Sequence, residues 1–175
     1  MNKEYYFPLR NKYFPTNLKV VFVLESPPAS GKYFYDEGGI LSEPLFSAMM
    51  KLLNFNPQNK RDGLRYFAGS GHFLVDATYE PVNKLKGKIR DNTILKNYEN
   101  LVTDLEKLGD PKQINFILVK ANICRLLEPR LLSIGFNVQN NGIIIPFPSS
   151  GQQKKFFMEI QKIFGARTKT PNKAN

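Results

Sequence analysis

The stretch LKVVFVLESPPASGKYFY, residues 18–35, contains the clearest strand signal of the chain. It begins with a short, β-branched apolar run, which is typical of a strand buried on both faces of a parallel sheet. Pro27 and Pro28 cannot continue a central strand, because neither has the N–H that the ladder needs. Glu25 therefore marks the carboxyl end of the strand, at the edge where open α/β sheets bind ligands.

Three aromatic residues, Tyr33, Phe34 and Tyr35, follow this turn. A carboxylate held by a stiff loop beside aromatic side chains is a candidate reaction centre. The alternative is that Glu25 caps a loop and the aromatic residues belong to the core.

The rest of the chain repeats the pattern of apolar strand and amphipathic helix. Strands are predicted at 19–24, 72–75, 114–119 and 142–145, and helices at 42–54, 92–108, 121–127, 129–134 and 152–164. Residues 1–17 are interpreted as an irregular arm, and 55–71 as a loop with Lys60, Arg61 and Arg65 exposed. This order predicts an α/β fold of three layers, α/β/α, around a central four-stranded parallel sheet.

Composition narrows the class of protein. The 175 residues suit one domain, 1–165, followed by a basic tail, 166–175. The net charge of +10 favours a polyanionic partner, although lysines in loops are often only solvated. No apolar run approaches the ~20 residues of a membrane helix, and no signal peptide is evident, so we expect a cytoplasmic protein that does not bind membranes. We also expect a monomer.

The polar residues at the predicted strand ends should meet at one rim of a parallel sheet. They supply two carboxylates, a cation, an amide and two hydroxyls: Glu25, Asp76, Lys120, Asn122, Ser149 and Ser150. The two serines also open the last predicted helix, whose free N–H groups suit a phosphate. The alternative there is an ordinary serine cap.

Three simpler site types are disfavoured. Gly31-Lys32 lacks the flanking residues of a phosphate-binding P-loop. His72 starts a strand, on the opposite edge from the predicted site, and is interpreted as structural. Cys124 has no histidine nearby in sequence and is interpreted as a buried thiol. With one histidine and one cysteine, the chain is expected to hold no metal site, iron–sulfur cluster or other cofactor.

Two short motifs carry a family resemblance. Leu24-Glu25-Ser26-Pro27-Pro28 follows the first strand, and Phe147-Pro148-Ser149-Ser150 follows the last. With both in place, the chain resembles the uracil-DNA glycosylase superfamily over about residues 18–164. That family has Gly-Glu-x-Pro-Gly or Gly-Gln-Asp-Pro-Tyr at the first place, and His-Pro-Ser or Met-Pro-Ser-Ser at the second. Here Leu24 replaces the leading glycine, and Phe147 replaces the histidine that steadies the departing base.

The resemblance implies roles for individual residues. Glu25 would orient the attacking water, with Ser26 beside it in the catalytic motif. The base-binding residues would be Phe34 or Tyr35 as the stacking aromatic, Asp76 as the reader of the base edge, and Phe147. The residues that contact DNA would be Ser149, Ser150, Gln152, Lys154, Lys155, Lys120 and Asn122, helped by the lysines of 84–90.

The resulting hypothesis is a monofunctional DNA glycosylase of base excision repair, which extrudes a damaged or non-standard base and hydrolyses its N-glycosidic bond. An ionised Asp76 can only accept hydrogen bonds, so it would favour a base edge with amino donors over uracil. The alternatives are an inactive DNA-binding module of the same fold, suggested by the absent histidine, and a hydrolase of free nucleotides or nucleosides.

Overall fold

Three parallel strands form the centre of the computed structural model, which describes residues 3–149 and 151–167. The strands are β1 (Val20–Leu24), β2 (His72–Asp76) and β3 (Asn115–Leu118). The helices are α1 (Lys3–Asn11), α2 (Pro44–Leu52), α3 (Lys60–Gly69), α4 (Gly87–Lys96), α5 (Tyr98–Glu106), α6 (Ala121–Ser133) and α7 (Gln153–Arg167). Helices cover both faces of the sheet, so the predicted parallel α/β architecture is confirmed.

The strand order is β2-β1-β3, which puts β1 in the middle. All five of its residues are buried, as its apolar sequence requires. The chain moves from β1 to β2 on one side and then returns to β3 on the other. The carboxyl ends of β1 and β3 therefore flank the point where the winding direction changes, which is where such sheets form a crevice.

The predicted fourth strand, at 142–145, is wrong within the described residues. This segment makes a single bridge, between Val119 and Ile145, and the chain before it makes another, between Phe116 and Val138. The buried Asn140 amide takes the place of a strand backbone: its Oδ1 accepts from Leu118 N at 2.7 Å, and its Nδ2 donates to Leu118 O at 2.9 Å. A side chain thus satisfies the two backbone groups of Leu118 that a fourth strand would have paired.

Several helix predictions also need correction. The expected arm contains α1, and the expected loop at 55–71 contains α3, which Asn59 caps by accepting from Asp62 N at 3.0 Å. Gly63 lets α3 approach α2, because a Cβ there would lie 2.4 Å from the Phe46 ring. The single helix predicted at 92–108 is two helices, α4, which starts earlier, and α5, with a break at Asn97. The two helices predicted at 121–127 and 129–134 are one, because α6 runs through Pro129 without a break. The predicted tail lies outside the described residues from position 168 onward.

Lys60 is buried, which contradicts the expectation that it is exposed. Its Nζ donates to Tyr33 O at 2.8 Å and to Glu43 Oε2 at 2.7 Å. The ammonium is thereby hydrogen-bonded and charge-paired, as a buried lysine must be. It ties α3 to the loop that follows β1, and so helps to fix the aromatic residues of that loop.

A second buried ion pair anchors α1. Arg10 donates from Nη1 to Asp104 Oδ2 at 2.7 Å and from Nη2 to Asp104 Oδ1 at 2.9 Å, and its Nη1 also reaches Tyr79 Oη at 2.7 Å. The two side chains are only 3% and 10% exposed. Such a forked pair joins α1 to α5.

We expect the Asp104→Ala substitution to lower the free energy of unfolding by about 3–5 kcal/mol, because it leaves the Arg10 charge buried without its partner. Urea denaturation measures this change. The double variant Arg10→Met/Asp104→Leu is the control, since it removes both charges and should recover most of the loss. A single variant within about 1 kcal/mol of the wild type would contradict this assignment.

Candidate active site

A cavity of about 390 Å³ opens at the carboxyl edge of the sheet. Its wall includes seven residues that the sequence assigned to the site: Glu25, Ser26, Phe34, Asp76, Lys120, Phe147 and Ser149. They come from the ends of all three strands and from the segment before α7. The expected convergence of the strand ends, and of Glu25 with Ser149, is therefore present in the fold.

Glu25 lies in the cavity wall among three polar partners. It is buried, and its carboxylate forms an ion pair and hydrogen bond with Lys120. It also accepts from Asn122 Nδ2 at 2.6 Å, and Arg90 Nε lies 3.8 Å from its Oε1. Lys120 and Asn122, predicted as DNA contacts, thus hold the candidate catalytic acid in one orientation.

The backbone of Lys120 is strained. Its φ is +90°, which few residues other than glycine adopt. Its N–H donates to Ile145 O at 2.7 Å, and the preceding N–H, of Val119, donates to Val23 O at 3.0 Å. These bonds fix the turn between β3 and α6, which directs the lysine toward Glu25. Strain of this kind concentrates at functional sites.

Asp76 ends β2 and lies in the cavity wall with only 4% of its surface exposed. Burial raises the pKa of its carboxyl to about 7; the nearby Arg10 charge lowers it, and the charges of Asp104 and Glu25 raise it further. Asp76 is therefore about half protonated at neutral pH. A protonated carboxyl can donate as well as accept a hydrogen bond, which an ionised one cannot.

Tyr33 adds a polar group that the sequence did not assign to the site. Its side chain is 2% exposed and lies in the cavity wall, and burial raises the pKa of its phenol well above the usual value. The phenol therefore keeps its proton and can donate. Phe34, the neighbouring residue, is also buried and lines the cavity. The aromatic run after the two prolines indicated that this loop contributes to the site. It did not indicate that the Tyr33 hydroxyl is the one in the cavity wall.

Buried polar atoms without a hydrogen-bond partner cluster here. Within the described residues they include Tyr33 Oη and Asp76 Oδ2, which belong to cavity-wall residues, and Arg90 Nε and Asn122 Oδ1, which belong to neighbours of Glu25. Each such atom costs free energy unless a ligand or water satisfies it. Their concentration around one cavity indicates a polar ligand site.

The remaining predicted residues do not present a free side chain to the cavity, or lie outside it. Tyr35 is fully buried behind the site, and its hydroxyl accepts from Leu74 N at 2.8 Å, so it does not face the cavity. Ser26 lines the cavity, but its Oγ accepts from Val82 N at 3.2 Å and helps to fix the loop. Ser150 lies outside the described residues. The side chains of Gln152, Lys154 and Lys155 are exposed at the start of α7.

The two residues set aside as structural keep that interpretation. His72 starts β2 and stacks on Phe22, with ring centroids 6.0 Å apart. Cys124 is buried, and burial raises the pKa of its thiol to about 11, so it is a poor nucleophile at neutral pH.

The described part of the chain holds no group of three or more His, Cys, Asp or Glu side chains that could bind a metal ion. In the same residues, no helix is long and apolar enough to span a membrane. A scan against models of known protein families, a search of curated proteins and a search of solved structures each found no match.

Proposed function

We propose that the protein is a divergent DNA glycosylase of the uracil-DNA glycosylase type, which removes a damaged or non-standard base from DNA in base excision repair. One observation carries the proposal: a buried carboxylate, Glu25, shares a cavity of about 390 Å³ with an aromatic side chain, Phe34, and a polar reader, Asp76. Cavities of this size suit a small ligand such as one extruded nucleotide.

The proposed reaction breaks the bond between C1′ of the sugar and the base nitrogen. The transition state has oxocarbenium character, so a carboxylate beside the sugar stabilises it and can orient the attacking water. Lys120 and Asn122 hold Glu25 for this task through the contacts described above. Phe34 would stack on the base and offset part of the cost of extruding it.

The departing base carries negative charge, and Phe147 cannot stabilise it as the family's histidine would. Cations near the site offer a substitute, because Arg90 and Lys120 both lie within 4.0 Å of Glu25. They also favour a polyanion, which fits the net charge of +10.

A DNA-binding module without catalysis is the second candidate. It is favoured by the absent histidine and by the cations that already neutralise Glu25. A carboxylate held in this way could serve only to position the basic side chains that contact phosphates.

One experiment separates the candidates. The protein is incubated with single- and double-stranded oligonucleotides that carry a panel of modified bases, and abasic sites are then cleaved with alkali. We expect breaks at one or a few bases once the products have been treated with alkali. DNA binding without breaks at any base would support the module, whereas release of bases from free nucleotides without DNA affinity would support a small-molecule hydrolase.

The exposed lysines at the start of α7 provide a test of the DNA contact surface. We expect the Lys154→Gln/Lys155→Gln variant to bind DNA more weakly, irrespective of sequence, and to reduce the slope of log affinity against log salt by about two. Titrations at several salt concentrations measure the slope. The matched control is Lys51→Gln, an exposed lysine on α2, which should leave the slope unchanged; equal slopes for all proteins would exclude α7 from the interface.

A further inference from the structure

Lys120 has the surroundings of a reactive amine. Two lysines of the described chain line the cavity, Lys32 and Lys120, and Lys120 contacts a carboxylate there. Its side chain is 30% exposed, so the amine is accessible from the cavity. A lysine that only screened a structural carboxylate would not need a cavity in front of it.

The backbone supports the same interpretation. Lys120 holds a φ of +90° between the end of β3 and the start of α6, where a glycine would relieve the strain. Among residues 3–149 and 151–167, this strain falls on the lysine whose amine contacts Glu25 and which lines the cavity. A lysine is also the side chain that attacks carbonyl carbons to form Schiff bases.

We propose that Lys120 gives the protein a second activity, cleavage of the DNA strand at abasic sites through a Schiff base with C1′. The proposal rests on the proposed function for one element only, the binding of the deoxyribose in this cavity. Its substrate is the ring-opened aldehyde left when a base has been removed.

The reaction needs no co-reactant other than water. The Lys120 ammonium gives a proton to Glu25, and the free Nζ adds to the C1′ carbonyl. Glu25 returns the proton to the departing hydroxyl, so that water leaves and a protonated imine remains. Glu25 then removes a proton from C2′, a C2′–C3′ double bond forms and the C3′–O bond breaks. The 3′-side strand leaves with a 5′ phosphate monoester, which takes up the proton from Glu25. Water finally hydrolyses the imine, which frees an unsaturated aldehyde and restores the lysine.

Borohydride trapping tests the proposal. The protein is mixed with an oligonucleotide that already contains one abasic site, and borohydride then reduces any imine to a stable secondary amine. We expect a covalent protein–DNA adduct whose cross-linked peptide maps to Lys120 by mass spectrometry, together with strand cleavage without alkali. Lys120→Arg keeps the cation against Glu25 but removes the nucleophile, so it should lower adduct formation at least 100-fold.

Lys32→Arg is the paired variant, since Lys32 is the competing amine of the same wall, and it should still form the adduct. No adduct with the wild-type protein, an adduct that maps to another amine, or an adduct that persists in Lys120→Arg would each overturn the proposal. Mapping on the wild-type chain keeps the test valid even if a variant fails to fold.

Because the oligonucleotide already contains the abasic site, the trapping experiment does not require glycosylase activity. The two proposals can therefore fail independently. Alkali-dependent breaks in the base panel without trapping would overturn the lyase activity and leave the glycosylase. Trapping without breaks at any base would overturn the glycosylase and support the lyase.

Discussion

The Glu25→Gln protein should lose base-excision activity by about 10²–10⁴-fold in single-turnover assays while it still binds DNA. The amide has the same shape, but it neither stabilises positive charge on the sugar nor accepts a proton from water. DNA affinity should hold or rise, because the change leaves the charges of Lys120 and Arg90 uncompensated.

Glu37 offers a matched control for this experiment. Its carboxylate also pairs with two cations, Lys12 and Arg61, but it is not part of the cavity wall. We expect Glu37→Gln to excise bases at the wild-type rate. Equal rates for Glu25→Gln and the wild-type protein would show that the buried carboxylate has no part in the chemistry.

Asp76 should make base preference depend on pH, since burial raises its pKa to about 7. At pH 6 most molecules carry the neutral acid, which can donate to a carbonyl oxygen and accept from an N–H, as the edge of uracil requires. At pH 8 the carboxylate only accepts, so a base with amino donors is favoured. We therefore expect poor uracil recognition only on the alkaline side.

We expect the ratio of uracil excision to excision of an amino-bearing base to fall about 10- to 100-fold between pH 6 and pH 8. In Asp76→Asn the ratio should favour uracil and stay flat, because an amide donates and accepts at both pH values. Excision rates measured on paired oligonucleotides give the ratio. A wild-type ratio that does not change with pH, or no gain for uracil in Asp76→Asn, would remove Asp76 as the reader.

Protein stability gives an independent measure of the same group. The folded chain keeps the Asp76 proton between its ordinary pKa of 3.8 and about 7, where the unfolded chain has released it. The resulting stabilisation is complete below about pH 4 and is lost as pH rises through 7. Relative to the wild type, Asp76→Asn should therefore gain up to about 4 kcal/mol between pH 4 and pH 8 in urea denaturation.

The parts of the fold that the sequence predicted are those that a repeating pattern determines. The run at Val20–Leu24 can only be a buried strand, and the strands that end at Asp76 and before Lys120 follow from the same alternation with helices. The prediction of a fourth strand was wrong because a single side chain takes the place of a strand beside β3. The hydrophobic pattern does not indicate that the Asn140 amide forms hydrogen bonds with both backbone groups of Leu118.

The same contrast holds at the site. Parallel strands bring their carboxyl ends together, so Glu25, Asp76 and Lys120 could be assigned to one rim from the sequence. The pairing of Lys120 with Glu25 depends on a backbone angle of +90°, and the raised pKa of Asp76 depends on burial. Both are products of tertiary packing, as are the burial of Tyr35 behind the site and the position of Tyr33 in the cavity wall.

A crystal structure of the protein with an oligonucleotide that carries a tetrahydrofuran abasic-site analogue would show directly whether the cavity binds the deoxyribose. It does not depend on which base is the target. We predict that the furan ring lies in the cavity in van der Waals contact with the Glu25 carboxylate, with the adjacent phosphates toward the start of α7. A furan ring that stays within the DNA stack, or DNA bound on another surface with the cavity empty, would contradict the account.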